Sequence, residues 1–339
     1  MKLHWPRHRR YFVVAAALGL VVLLAALVLA SVRAEQSGAP AQASTVYEHL
    51  EEFQAIADDH GDRATGTDGY EAAAQYVESQ LESAGYESTR QYFTFETHGQ
   101  SYESFNIIAE TAGGSDDNVI MLGAHLDGVR NSPAINDNAS GAAALLEAAQ
   151  ELSQRGEPNN KVRFAWWGAE EFPEAFGSRH YVEDLAEHDS GELERIAAYL
   201  NIDMVASPNY VIAVYDPRES DDDSWWDVPD GSVEIMEFFT DYFDSQAQPW
   251  VPTDWNFYSD QVAFIDEDIP VGGLFTGSNE RKSLRERFLF GGTAGQPRDP
   301  NYHEPGDDLG NVDLEALSIM TDAITHAATS LAEDSSALE

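Results

Sequence analysis

From Val46 onward, apolar residues recur in two different periods. Over Val46–Asp59 and Gly69–Ser83 they fall three and four apart, the spacing of amphipathic helices, and Gly85 supplies a stop for the second. Tyr92–Phe95 and Phe105–Ile108 are short aromatic and β-branched runs of strand character. Val119–Leu122, Val162–Trp167 and Ala198–Ile202 are continuous apolar runs too short for helices, as expected of strands buried on both faces. Ala142–Leu152 is a strong helical pattern between the first two of these. Such alternation predicts an α/β domain with a mostly parallel central sheet sandwiched by helices. No repeat and no second core-forming block is evident, so one domain is expected over 45–333, with a tail at 334–339.

The N-terminal pattern is different. Tyr11–Val32 is a run of 22 residues without a charge, preceded by Lys2, Arg7, Arg9 and Arg10. A spanning helix needs roughly 20 apolar residues and a signal-peptide core about 7–15. Residues 1–34 therefore read as a signal anchor, or as a signal peptide cleaved after the Val32-Arg33-Ala34 stretch. The basic cluster keeps the N-terminus inside. Either way the rest of the chain lies outside the cytoplasm, membrane-bound through this segment only or secreted. Residues 35–44, small and polar, read as a flexible linker.

Composition narrows the chemistry. The 339 residues include no cysteine, which excludes disulfide scaffolds, zinc fingers and thiol enzymes. The 7 Trp, 14 Tyr and 16 Phe supply a sizeable core. Residues 35–339 hold all 60 acids but 14 bases, a net charge of −46. Nucleic acid would be repelled. Self-repulsion on this scale is best tolerated where salt screens it, which predicts a salt-adapted protein; the rival reading is an ordinary acidic secreted one. The acidic stretch Asp216–Ser232 reads as a solvated loop. No sequence feature fixes an oligomeric state.

Each buried strand ends in groups able to bind a metal. The first leads into Gly123-Ala124-His125-Leu126-Asp127, the second into Gly168-Ala169-Glu170-Glu171, the third into Asp203. Asp137 follows His125 by twelve residues, just before the helix at Ala142. Singly, His125 could be a satisfied core histidine, Asp137 or Asp203 a helix cap, and Glu170-Glu171 a solvated loop. Together they occupy the strand ends where open α/β sheets place their sites. Histidine and carboxylate without sulfur suit zinc or a similar dication. There is no His-Glu-x-x-His, nucleophile elbow or phosphate-binding loop. The Asn138-Ala139-Ser140 sequon is discounted because it adjoins a proposed ligand.

These segments, continued by Gly177-Ser178-Arg179-His180-Tyr181, Leu200-Asn201-Ile202-Asp203-Met204, Ile269–Gly277, Gly291–Gln296 and Tyr302-His303, resemble the M28 family of co-catalytic zinc aminopeptidases. The branch holding the streptomycete and fungal secreted enzymes is the most similar. The resemblance implies two zinc ions bridged by Asp137, one held with His125 and Asp203, the other with Glu171 and His303. It makes Glu170 the general base, Asp127 the carboxylate that orients His125, and Tyr302 a hydrogen-bonding partner of the substrate carbonyl or the tetrahedral intermediate. It also makes the Asp137–Asn138 peptide cis, and implies removal of N-terminal residues from peptides, with apolar first residues preferred. Met204 and Phe275 match the pocket for that residue. Where relatives carry a cysteine pair this chain has Asn301 and Gly306. In Phe257-Tyr258-Ser259-Asp260, Tyr258 stands where the family has arginine, and Gln261 replaces an aromatic or histidine. A glutaminyl-cyclase-like enzyme with one zinc, or an inactive binding ectodomain, would share the fold.

Overall fold

The computed structural model describes residues 40–219, 227–255 and 259–338, with side chains from Thr45. Tyr258, the segment before Pro40 and Asp221–Asp223 of the acidic loop lie outside those residues. The chain divides into two compact units, Met1–Ser44 and Thr45–Glu339. Among the described residues no helix is long and apolar enough to cross a membrane.

Parts of the segments that read as linker and tail carry structure. Helix α1 spans Pro40–His60 and so takes up half of the stretch that reads as linker. Pro40 suits a first helical position and Ala41-Gln42-Ala43 are good helix formers. The tail beyond 333 is no separate appendage. Ser335 is buried and accepts a 2.8 Å hydrogen bond from Asn118 Nδ2, while Leu338 packs against the core.

Among the described residues, eight strands form one sheet in the order β1-β2-β4-β3-β5-β8-β6-β7. They are β1 Ser88–Thr97, β2 Gln100–Glu110, β3 Ser115–His125, β4 Asn160–Trp167, β5 Ile196–Ile202, β6 Ala213–Tyr215, β7 Val251–Thr253 and β8 Val271–Phe275. The central run β4-β3-β5-β8 is parallel. Strands β1 and β2 form an antiparallel hairpin at one edge, turned through His98 and Gly99, both at positive φ. Its two-residue loop matches the twist of the flanking strands.

Helices cover both faces. On one face α3 (Ser140–Ser153) and α9 (Leu314–Glu333) pack on each other and on β3 and β4, and α6 (Ser232–Ser245) lies on β8. On the other, α4 (Phe176–His188) and the short α7 (Gln261–Ile265) cover β2, β5 and β8. The remaining helices are α2 (Asp68–Ser83), the single turn α5 (Ser190–Leu193) and α8 (Leu284–Phe290). Alternation along β4 sends Trp166 to one face, donating to Ala142 O (3.1 Å), and Trp167 to the other, against Tyr181. Tyr199 of β5 stacks flat on Phe264 of α7, centroids 3.8 Å apart. The parallel strands thereby present their carboxyl ends side by side, which is where the charged residues collect.

Candidate metal centre

The carboxyl ends of β3, β4 and β5 deliver His125, Glu170-Glu171 and Asp203, and the segment Ile135–Ala139 ahead of α3 delivers Asp137. That segment is pinned on both sides. Asn136 Nδ2 donates to Asp299 Oδ2 (2.6 Å) and Ser207 Oγ (3.1 Å), and Asn138 Nδ2 donates to Ile202 O (2.9 Å). The backbone N–H groups of Asn136 and Asp137 both donate to Asp307 (2.8 and 3.0 Å). The Asp137–Asn138 peptide is cis, and Asn138 is fully buried, which agrees with setting its sequon aside. Beyond β4, Ala169 takes a left-handed φ of 60°, and of the two glutamates after it Glu170 approaches His125 while Glu171 approaches His303.

Asp137 lies between two imidazoles. Its Oδ1 is 3.3 Å from His125 Nε2 and its Oδ2 is 3.0 Å from His303 Nε2. Asp203 Oδ1 approaches His125 Nε2 at 3.4 Å, and Glu171 Oε2 approaches His303 Nε2 at 3.0 Å. Two groups thus share one aspartate: His125 with Asp203, and His303 with Glu171. Glu170 Oε2 stands 3.8 Å from His125 Nε2. Four buried atoms here, His125 Nε2, Asp137 Oδ2, Glu171 Oε1 and Asp203 Oδ1, make no hydrogen bond at all. Buried polar atoms are seldom left so. Atoms this close without hydrogen-bond alignment point at common third positions, and the residues fit one or more dications of zinc type.

Neighbouring groups fix the donors. His125 Nδ1 donates to the backbone carbonyl of Asp127 (3.0 Å), leaving Nε2 free for a ligand. The Asp127 carboxylate, 3.8 Å from Nδ1, accepts instead from Thr65 Oγ1 and the Glu170 N–H, both at 3.1 Å. Asp127 therefore positions both His125 and Glu170. Asp203 Oδ2 accepts from Ser259 Oγ (2.9 Å), which in turn accepts from Asn201 Nδ2 (3.1 Å).

The electrostatics are those of crowded buried carboxylates. Burial pushes the Glu170 carboxyl well above the usual range; His125 opposes this, while Asp203, Asp260 and Glu171 add to it. Burial and the Asp137 charge carry Glu171 up to about 7 against the pull of His303. For Asp137 burial acts upward but the two histidines prevail and hold it well below the ordinary value. Burial disfavours the charged form of His303, yet Asp137 and Glu171 raise it to about 10. A bound dication would take the place of those protons.

The structure brings His125, Asp137, Glu170, Glu171, Asp203 and His303 together. Met204, Phe275 and Tyr302 line the same cavity of about 440 Å³, beside Phe172, Pro173 and the rim residues Ser278, Asn279 and Glu280. The Tyr302 ring stacks on His303, and burial with the nearby carboxylates raises its hydroxyl pKa, keeping it a donor. Sequence reading missed Arg63 and Thr65. Arg63, fully buried, donates to the carbonyls of Leu126 (2.5 Å), Ala134 (2.6 Å) and Pro133 (3.3 Å), bracing the loop between His125 and Asp137. Thr65 ties Asp127 to the Ala169 N–H (2.9 Å). The one available signal was an arginine and a threonine within Asp62–Thr67, a turn between two helices. Asp260, the last residue of the Phe257–Asp260 motif, is also buried, and burial above all raises it to about 7.

Two donor groups sharing an aspartate at the carboxyl edge of a parallel sheet define an α/β protein with a candidate metal centre. Residues 106–328 match the model of peptidase family M28, and the chain belongs to that family. It is 45% identical over 226 residues to leucine aminopeptidase 2 of Trichophyton rubrum, covering 66% of this chain and 44% of that protein. The chain thus spans under half the length of that relative. Among solved structures, a zinc aminopeptidase from Bacillus subtilis superposes with a TM-score of 0.69 at 17% identity, covering 88% of this chain and 97% of that one. A glutaminyl cyclase from Porphyromonas gingivalis reaches 0.62 at 17% identity, covering 85% and 98%. At these identities the likeness shows the fold.

Proposed function

We propose that this protein is a di-zinc aminopeptidase that removes N-terminal residues, preferably apolar ones, from peptides. The observation that carries the reading is Asp137 facing two imidazoles, each joined by its own second carboxylate. His125, Asp137 and Asp203 would hold one ion, and Asp137, Glu171 and His303 the other. Zinc bound there would polarise the scissile carbonyl and make a shared water acidic near neutral pH.

The chain's own groups do the rest. Glu170 Oε2 accepts the water proton and returns it to the departing amine. Tyr302 donates its hydroxyl hydrogen to the carbonyl oxygen as charge builds there. Met204, Phe275 and Phe172 offer apolar walls to the first side chain. Glu280, in the lining of the cavity, favours a free α-amine over a blocked terminus. The presence of both groups, His125 with Asp203 and His303 with Glu171, favours two ions over the single ion of a cyclase-like enzyme, and the full donor set disfavours an inactive ectodomain.

Salt adaptation and an extracytoplasmic place belong to the same proposal. Exposed acids occur on separate helices, among them Glu51, Glu52, Asp58 and Asp59 of α1, Glu183 and Glu187 of α4, and Glu237, Asp241 and Asp244 of α6, a spread that supports a salt-screened surface rather than one steering patch. The apolar run Tyr11–Val32 supports membrane anchoring or export. Hydrolysis of a panel of aminoacyl anilides at high salt, with and without a chelator, tests the activity. Chelator-sensitive release favouring leucine is expected; pyroglutamate as product with one ion per chain would replace it with the cyclase.

A further inference from the structure

Residues 35–339 contain 14 bases among 60 acids. Among the described residues, nine of those bases pair with an acid. Arg63 and Lys282 are buried. The remaining three, Arg281, Arg285 and Arg287, are exposed, have no acid within ion-pair distance among the described residues, and fall within seven positions at α8. Among the described residues, exposed positive charge without an acid partner is thus confined to α8 and the turn just before it.

The same helix carries two of the largest exposed apolar side chains, Leu284 (76% exposed) and Phe288 (88%). Four residues apart, they share a face, and helical geometry puts Arg285 on one side of that stripe and Arg287 on the other. Glu286 and Phe290 point inward: Phe290 is buried, and Glu286 holds Arg298 at 2.7 Å. Arg298 also approaches Glu280 (3.8 Å), a rim residue of the catalytic cavity. Glu280 and Leu284 are four positions apart in the chain, so the two lie within about 14 Å.

We propose that the α8 face is an exosite for the downstream part of peptide substrates, one carrying carboxylates and a large apolar side chain roughly four to eight residues beyond the scissile bond. The proposal rests on the aminopeptidase reading of the cavity. Charge complementarity selects an acidic segment, which the surplus acid elsewhere on residues 35–339 would repel. Leu284 and Phe288 give the segment an apolar anchor, and Arg298 fixes the helix to the rim, so binding there keeps the substrate's N-terminus at the cavity.

The test uses the full-chain holoenzyme at the lowest salt concentration at which leucine p-nitroanilide is hydrolysed. Three substrates are compared: the anilide, a ten-residue peptide with N-terminal leucine and a Ser/Gly extension, and the same peptide with Asp, Glu and Phe at positions five to eight. The acidic peptide should show a KM about 10-fold lower than the neutral one at similar kcat. R285S/R287S and, separately, F288S should abolish that difference and leave anilide turnover unchanged. Equal KM values for the two peptides in the wild type would overturn the proposal, as would variants that slow all three substrates alike. A change in solution mass in the variants, or loss of binding to phosphatidylglycerol vesicles, without a change in peptide KM would assign the face to a second copy or a membrane and overturn it too. Failure of the wild type on every substrate strikes instead at the aminopeptidase reading.

Discussion

Glu170→Gln and Glu171→Gln are the same chemical change one residue apart, and the geometry gives them opposite consequences. Glu171 Oε2 lies 3.0 Å from His303 Nε2 and its Oε1 is buried without a hydrogen bond, the position of a metal donor. Glu170 stands further back, 3.8 Å from His125 Nε2, with its backbone N–H fixed on Asp127. Glu170→Gln keeps the shape and the metals but removes the proton acceptor, so kcat should fall about 10²–10⁴-fold, roughly 3–5 kcal/mol of barrier, with KM little changed. Glu171→Gln exchanges an anionic donor for a neutral carbonyl and should lose one ion on dialysis. Metal analysis of each dialysed variant, paired with anilide kinetics, reads both effects. If Glu170→Gln sheds metal while Glu171→Gln keeps two ions and full activity, the roles are reversed and the reasoning fails.

Ser259→Ala removes the 2.9 Å bond to Asp203 Oδ2 and should weaken retention of the ion beside His125 about 10–100-fold in chelator competition, while the other ion is kept. Burial raises the folded-state pKa of Asp307, Glu171 and Asp260 to about 7. Stability from such groups is fully present below their unfolded values near 4 and is lost as pH rises through 7. Calorimetry of the metal-stripped protein at fixed salt should therefore show Tm falling from pH 5 to pH 8, and added zinc should raise Tm more at pH 8 than at pH 5; a flat profile would count against the buried cluster. Arg63→Ala strands three carbonyls in the interior and should cost about 3 kcal/mol or more in denaturant unfolding of the zinc-loaded protein. Tm should rise from low to multimolar salt; no rise would remove the salt-adaptation reading.

Much of this was legible in the chain because local patterns carry it. The runs Val119–Leu122, Val162–Trp167 and Ala198–Ile202 are apolar throughout, and only strands covered on both faces need that. They became β3, β4 and β5, and the residue after each run led to the donors His125, Glu170-Glu171 and Asp203. Strands β6 and β7, three residues each, gave no pattern long enough to read. The β1–β2 hairpin runs well beyond its apolar centres because backbone pairing continues where the side chains face water. The linker and tail segments carry structure that the pattern did not reveal, because helix propensity at Pro40–Ala43 and the pairing of Ser335 with Asn118 reach past the last hydrophobic periodicity.

The sequence by itself determined the alternating α/β pattern, the acidic surface and the order of the donor residues, since each is a property of composition or of near neighbours. Tertiary structure alone decided that Asp137 lies between His125 and His303, that Asp127 reaches Glu170 and Thr65, and that Arg63 braces the loop ahead of Asp137. Arg63 and Ala134 are 71 positions apart, Thr65 and Ala169 104, and Asp137 and Asp307 170. Contacts over such separations depend on how the strands are ordered in the sheet and how the helices cross it. No local pattern records that ordering, so burial of a cation or pairing of a carboxylate can be read only once the chain has closed on itself.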